Sequence, residues 1–265
     1  MRLRIKHQTR YVFDEPAYFA VQQVRLTALA SPGQGVRDWR TRMTGADKQV
    51  AFRDQHGNLT ELVSFETGAT EVQVDVEGEV EIRDTQGIVG PHEGPAPLWL
   101  YRRVTPRTLA GAGVQGLIEG FDRTDPLAGL HDLAARIADR VTYTVGASQP
   151  DWGAEEAIAA GEGVCQDHAH VFLACARSLE LPARYVSGYL MMNDRVEQEA
   201  MHAWAEAHLD GLGWVGFDPS NGISPDARYV RVATGLDYAE AAPISGTRLG
   251  GSGEQLHVSI EVAQQ

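Results

Sequence analysis

Cysteine is scarce in this chain: only Cys165 and Cys175 occur among its 265 residues. Both fall in a stretch whose periodicity, described below, assigns them to one helix. Ten helical residues span about 15 Å, whereas a disulfide needs Cα atoms within about 7 Å, so a bridge between them is excluded. Two cysteines without CxxC spacing also make no zinc site. Long apolar runs are missing as well, since none approaches the roughly 18–20 residues that cross a bilayer. The opening MRLRIKHQTRYVF carries charge with no apolar stretch behind it. No secretory signal is therefore expected, and a cytoplasmic location is the default. Basic charge is in short supply: 23 Lys and Arg face 36 Asp and Glu, a formal net charge of −13. That balance argues against a nucleic-acid partner, which requires a basic patch, and against adhesion to anionic lipid. Solubility is the simple reading of the acidity. Oligomeric state leaves no mark on the sequence.

What is present is a globular composition, 43% hydrophobic and 22% charged, with length for one large domain or two modest ones. Leu3, Ile5, His7, Thr9, Tyr11 and Phe13 alternate with a period of two, the pattern of a half-buried strand. Residues 21–29 suggest another strand. Residues 49–54 and 59–66 flank His56-Gly57-Asn58 as a hairpin would. Valines at 72, 74, 76 and 80, then Ile82, repeat the alternation around Glu77-Gly78. Residues 84–97, rich in Gly and Pro, read as a linker. Beyond them the period changes to that of a helix over 126–140, with Leu127, Leu130, Leu133 and Ile137 on one face, and a short helix is expected over 154–160. LHVSIEV at 256–262 reads as a closing strand. The expected organisation is an N-terminal antiparallel β domain over 1–95 followed by an α+β domain over 96–265.

The chemistry concentrates near Cys165. Positions 165, 169, 172, 176 and 179 recur at helical steps, Gly161 and Gly163 precede them, and Pro182 stops the helix. Cys165 is then in the first turn, where free N–H groups and the helix dipole favour a thiolate over a thiol. The two glycines would keep bulk away from a substrate approaching the sulfur and permit unusual backbone angles. Cys175, three turns in, has no such support and reads as a core residue. A thiolate nucleophile needs a base, and the base an orienting group. HAWAEAHLD, from His202, alternates as a strand; Gly211 to Gly213 looks like its turn; and WVGFDPS reads as the returning strand. This hairpin sets His202 and Asp218 roughly opposite each other, so that the carboxylate can accept the imidazole N–H and fix its tautomer.

At this point GEGVCQDHAHVFLACARSLELPARYVSGYL and HAWAEAHLDGLGWVGFDPSNG resemble the cysteine, histidine and aspartate segments of the transglutaminase-like superfamily. HQTRYVFDEPAYFAVQQVRLTALA resembles the β region that precedes this core in bacterial members. The resemblance implies a papain-like α+β core in which a cysteine helix packs on an antiparallel sheet. It assigns Cys165 as nucleophile, His202 as base and Asp218 as orienting carboxylate. It further implies attack on a peptide or protein amide through a thioester, resolved by water or an amine, with neither metal nor organic cofactor. Some members are non-catalytic, so an interaction scaffold on the same fold is the alternative.

Neighbouring residues admit other readings. Asp167, His168 and His170, with Asp226 or His208, invite a metal, but histidines two apart on a helix face different ways. His168 is either a site-lining or a packing residue. Glu206 reads as solvated, Arg184 as structural, and Trp204 and Trp214 as core aromatics. The backbone N–H of Cys165 is the natural first oxyanion donor. Tyr143, Gln149 and Trp152 remain open as the source of a second.

Overall fold

The computed structural model describes all 265 residues. In chain order the strands β1 (Arg2–Val12), β2 (Ala17–Val24), β3 (Gln34–Thr44), β4 (Ala46–Arg53), β5 (Leu59–Phe65), β6 (Glu71–Ile82) and β7 (Ile88–Gly90) come first. Two 3-10 turns follow, then α1 (Ala112–Ile118), α2 (Pro126–Arg140), β8 (Thr142–Tyr143), α3 (Ala154–Ala160), β9 (Glu162–Gly163) and α4 (Cys165–Ser178). The chain ends with β10 (Ala183–Leu190), β11 (Glu197–Gln198), β12 (His202–Leu209), β13 (Gly213–Phe217), β14 (Tyr229–Gly235), α5 (Tyr238–Ala241), β15 (Ile244–Gly250) and β16 (Gln255–Gln264). No helix is long and apolar enough to cross a membrane.

The first residues build a sandwich of two antiparallel sheets, ordered β11-β16-β1-β6-β3 and β15-β2-β5-β4. The alternation read from β1 buries Leu3, Ile5, His7 and Thr9 on one face. β6 runs unbroken through Gly78, where a Cβ would lie 2.1 Å from the Trp39 ring. Glycine there is the seat of an indole. Pairing crosses residue 95 in both directions. β16 runs antiparallel to β1 over its whole length, and β15 pairs with β2. Conversely, β7, inside the Gly- and Pro-rich segment expected to be a linker, joins the edge of the second half's sheet by pairing with β13. A three-residue strand between Gly87 and Pro91 carries too short an alternation to be seen in sequence.

That sheet, β14-β10-β12-β13-β7, carries α4 on one face. The alternation of β12 explains the packing: Ala203, Ala205 and Ala207 are small and turn toward α4, joining Phe172, Val171 and Ala176 in the main core. Alanines let the helix approach closely, and Phe172 stacks on Phe217 with ring centroids 5.0 Å apart. Burying a side chain of that size contributes about 1.5–3 kcal/mol. Trp204, on the opposite face of β12, enters a separate cluster with Val186, Leu190 and Tyr229. Trp204 and Trp214 are both core residues, 2% and 1% exposed. The α2 boundaries match the sequence reading, with Asp125 accepting the Ala128 N–H at its start. Arg177, buried near the end of α4, donates to the carbonyls of Tyr101, Ala183 and Leu236 and to the Thr108 hydroxyl. It therefore ties the helix to both 3-10 turns, to the start of β10 and to the residue that follows β14.

The α+β class holds: an antiparallel β region precedes a core in which the cysteine helix lies on an antiparallel sheet. Glu206 departs from expectation. It is fully buried between two guanidiniums, 2.6 Å from Arg184 Nε and 3.0 Å from Arg231 Nε. Burial raises its pKa, and the two arginines more than reverse that shift and hold it below the usual carboxylate range.

Candidate active site

Cys165 is the first residue of α4, at the helix end where backbone N–H groups have no carbonyl four residues back. Val164 precedes it in extended geometry, and Asp167 folds back to accept the Val164 N–H at 2.8 Å. Ser148 donates to the other Asp167 oxygen at 3.0 Å, pinning the preceding loop to the first turn. A Cβ at Gly163 would sit 2.8 Å from the Asp167 Cβ. This glycine makes room for the cap rather than for a ligand. Gly161 has a φ of +72° and ends α3. Cys165 is partly exposed; Cys175 is buried and free, and burial pushes its thiol pKa up.

His202 opens β12, opposite Gly188 of β10. Its Nε2 lies 2.6 Å from Asp218 Oδ2 across the β12–β13 hairpin. The remaining ring nitrogen, Nδ1, is the one available to the sulfur. Burial by itself would lower the His202 pKa. The charge and hydrogen bonding of Cys165, together with Asp218, overcome it and raise the pKa to about 10. Asp218 is wholly buried, and burial pushes its pKa up; His202, Asn221 and Ser220 reverse this and bring it to about 2. The product is an imidazolium–carboxylate pair facing a partly exposed sulfur at a helix N-terminus. Such an arrangement can present a sulfur nucleophile and return a proton to a leaving group.

Several partners of Asp218 escaped the sequence reading. Oδ1 accepts from Ser220 Oγ at 2.6 Å and from the Asn221 backbone N–H at 3.3 Å. Oδ2 accepts, besides His202, from Asn221 Nδ2 at 2.8 Å and from the Tyr229 hydroxyl at 2.7 Å. Ser220 and Asn221 had a signal, since polar residues just after an Asp-Pro form side-chain-closed turns. Tyr229, eleven residues on and in another strand, had none.

The neighbouring histidines are used as packing residues. Both ring nitrogens of His168 lie 2.8 Å from carbonyls, Nδ1 from Val164 and Nε2 from Val141. His170 is fully buried, and its Nε2 accepts the Tyr238 N–H at 3.2 Å. His208 stands edge-on to Trp214. No three His, Cys, Asp or Glu side chains converge as metal ligands do. Of the open oxyanion donors, Trp152 packs against the main core, whereas Tyr143 is half exposed. The Tyr143 pKa is raised by burial and by the charge of Cys165.

Comparison with known proteins places this geometry. Residues 116–219 match the transglutaminase-like superfamily, and residues 3–81 match the bacterial transglutaminase-like N-terminal region. An uncharacterized protein of Mycobacterium leprae is 27% identical over 278 residues, covering 99% of both chains. An uncharacterized protein of Mycobacterium tuberculosis is 41% identical over 127 residues, which is 44% of this chain and 40% of that one. The crystal structure of a proposed cysteine protease from Cytophaga hutchinsonii is 20% identical and covers 99% of this chain and 90% of its own. It superposes with a TM-score of 0.77, so the fold is shared from end to end. With both its β region and its cysteine-bearing core matched, the chain belongs to the transglutaminase-like superfamily.

Proposed function

We propose that this protein is a cysteine-dependent amide hydrolase or acyltransferase that works through a thioester on Cys165. The observation that carries this reading is His202 Nε2 held at 2.6 Å by the buried Asp218 carboxylate, which leaves Nδ1 for the sulfur of Cys165 at the start of α4. In the proposed reaction Sγ attacks the amide carbonyl of a peptide or protein. The developing oxyanion is stabilised by N–H groups of the α4 first turn. The tetrahedral adduct then collapses: the C–N bond breaks, His202 gives its proton to the departing amine, and a thioester remains. Neutral His202 next takes a proton from water or an incoming amine as that nucleophile attacks the thioester. The carboxylic acid or new amide leaves, and the proton returns the ion pair to its starting state. Asp218 keeps Nε2 protonated throughout and does not itself change protonation.

Mass spectrometry of the protein after incubation with an activated ester, or with a peptide and amine library, tests the reading. An acyl adduct on Cys165 is expected, and Cys165→Ala should abolish it while the fold stays intact. A Cys165→Ala protein that acylates at the wild-type rate would eliminate the proposal. Release of free acid without added amine identifies a hydrolase, and a new amide identifies an acyltransferase.

A further inference from the structure

We propose that Tyr229 is a positioning residue for this site: its hydroxyl fixes the one Asp218 oxygen that holds His202 and ties the aspartate loop to the sheet. The inference rests on the proposed function for its catalytic meaning. Three donors converge on Oδ2: His202 Nε2, the Tyr229 hydroxyl and Asn221 Nδ2, all within 2.8 Å. Oδ1 takes its hydrogen bonds from Ser220 and the Asn221 backbone. Ser220 and Asn221 ride on the same turn as Asp218, which closes on itself through Asp218–Ile223 pairing. They move with the carboxylate and cannot anchor it. Tyr229 begins β14, paired with Leu190 of β10, so it belongs to the rigid sheet. Its ring stands edge-on to Trp204 at 5.4 Å and to His202 at 5.8 Å, walling the His202–Asp218 bond on one side. The residue is 4% exposed, so its hydroxyl needs an internal partner, and the partner it has is the carboxylate. Burial, then Asp218, hold its phenol pKa far above the ordinary value, so the hydroxyl remains a donor.

The test is a double-mutant cycle of Tyr229→Phe and Asp218→Ala, read by the alkylation rate of Cys165 with iodoacetamide at neutral pH. Ring resonances of labelled His202 are followed through acid titration alongside it. Tyr229→Phe keeps the aromatic wall and removes only the oxygen. Against the wild type it should slow alkylation about tenfold, the effect expected from losing a hydrogen bond to a charged group. Against Asp218→Ala it should cost nothing more. The acid-side transition of His202, which reports proton uptake by Asp218, should move up by about one pH unit, because a carboxylate with one donor fewer is protonated more easily. Equal losses in both backgrounds, or an acid-side transition that does not move, would overturn the proposal and leave Tyr229 as packing. Should Tyr229→Phe fail to fold, 3-fluorotyrosine at position 229 keeps the shape and makes a stronger donor. The acid-side transition must then move down, and no movement overturns the idea. A wild-type Cys165 that alkylates no faster than free cysteine would sink the proposed function, whereas the titration would still decide the role of Tyr229.

Discussion

His202 is held from two sides, and its proton is the quantity most open to measurement. With its folded pKa at about 10 against an ordinary 6.5, the charged ring stabilises the fold fully below pH 6.5. That contribution is lost as pH rises toward about 10. Asp218 runs the other way: its contribution is present above an ordinary 3.8 and is lost as pH falls toward about 2. The pair is therefore strongest between about pH 4 and 6.5. The melting temperature of wild type should exceed that of Asp218→Asn by the widest margin in that window, and the margin should close toward either extreme. In the same variant the His202 titration should fall below about 10, with the contribution of Cys165 remaining, and acylation of Cys165 should slow by about 10²–10⁴. An unchanged His202 titration would show that the carboxylate does not set it. At this scale much was legible. Helical spacing put Cys165 in a first turn, and strand alternation with Gly211 to Gly213 put His202 across from Asp218. Tyr229 was hidden, because only the pairing of β14 with β10 brings it back to Asp218. Glu206 was misread for a related reason: its guanidinium partners come from β10 and β14, distant in sequence.

Among the elements, α4 and β12 depend on each other through small residues. Three alanines of β12 receive the helix, so a larger side chain there would push Cys165 away from His202. Phe172→Ala, at the stacked contact with Phe217, should cost about 3–5 kcal/mol, measured by urea unfolding. A loss below 1 kcal/mol would mean the helix is not seated as described. Glu206→Ala should be similarly severe, about 3–5 kcal/mol, since it strands the buried Arg184 guanidinium without its carboxylate. Strong periodicity made α2, α3 and α4 readable close to their ends. β3 went unread and the nature of Gly78 was obscured, because the reason for that glycine is a tryptophan on the neighbouring strand.

For the whole molecule, the two halves are stitched together by strand exchange. The last two strands belong to the sandwich built by the first residues, and β7 belongs to the sheet that carries His202. The closing strand at 256–262 was visible as alternation, but its partner was not, since a strand does not name the strand it pairs with. Removing residues 244–265 would strip β1 and β2 of one neighbour each and leave both as bare sheet edges. The truncated protein should lose cooperative unfolding and expose apolar surface to a reporter dye, even though Cys165, His202 and Asp218 all remain. A truncated chain that melts as sharply as the full one would contradict this.

The central claim, a sulfur nucleophile activated by its histidine, is tested most directly by single-hit alkylation of Cys165 at neutral pH in wild type and in His202→Ala, with free cysteine as the reference. The expected result is a wild-type rate well above that of free cysteine, falling by at least tenfold when the imidazole is removed. A wild-type rate equal to that of free cysteine, or one indifferent to the loss of His202, would contradict it.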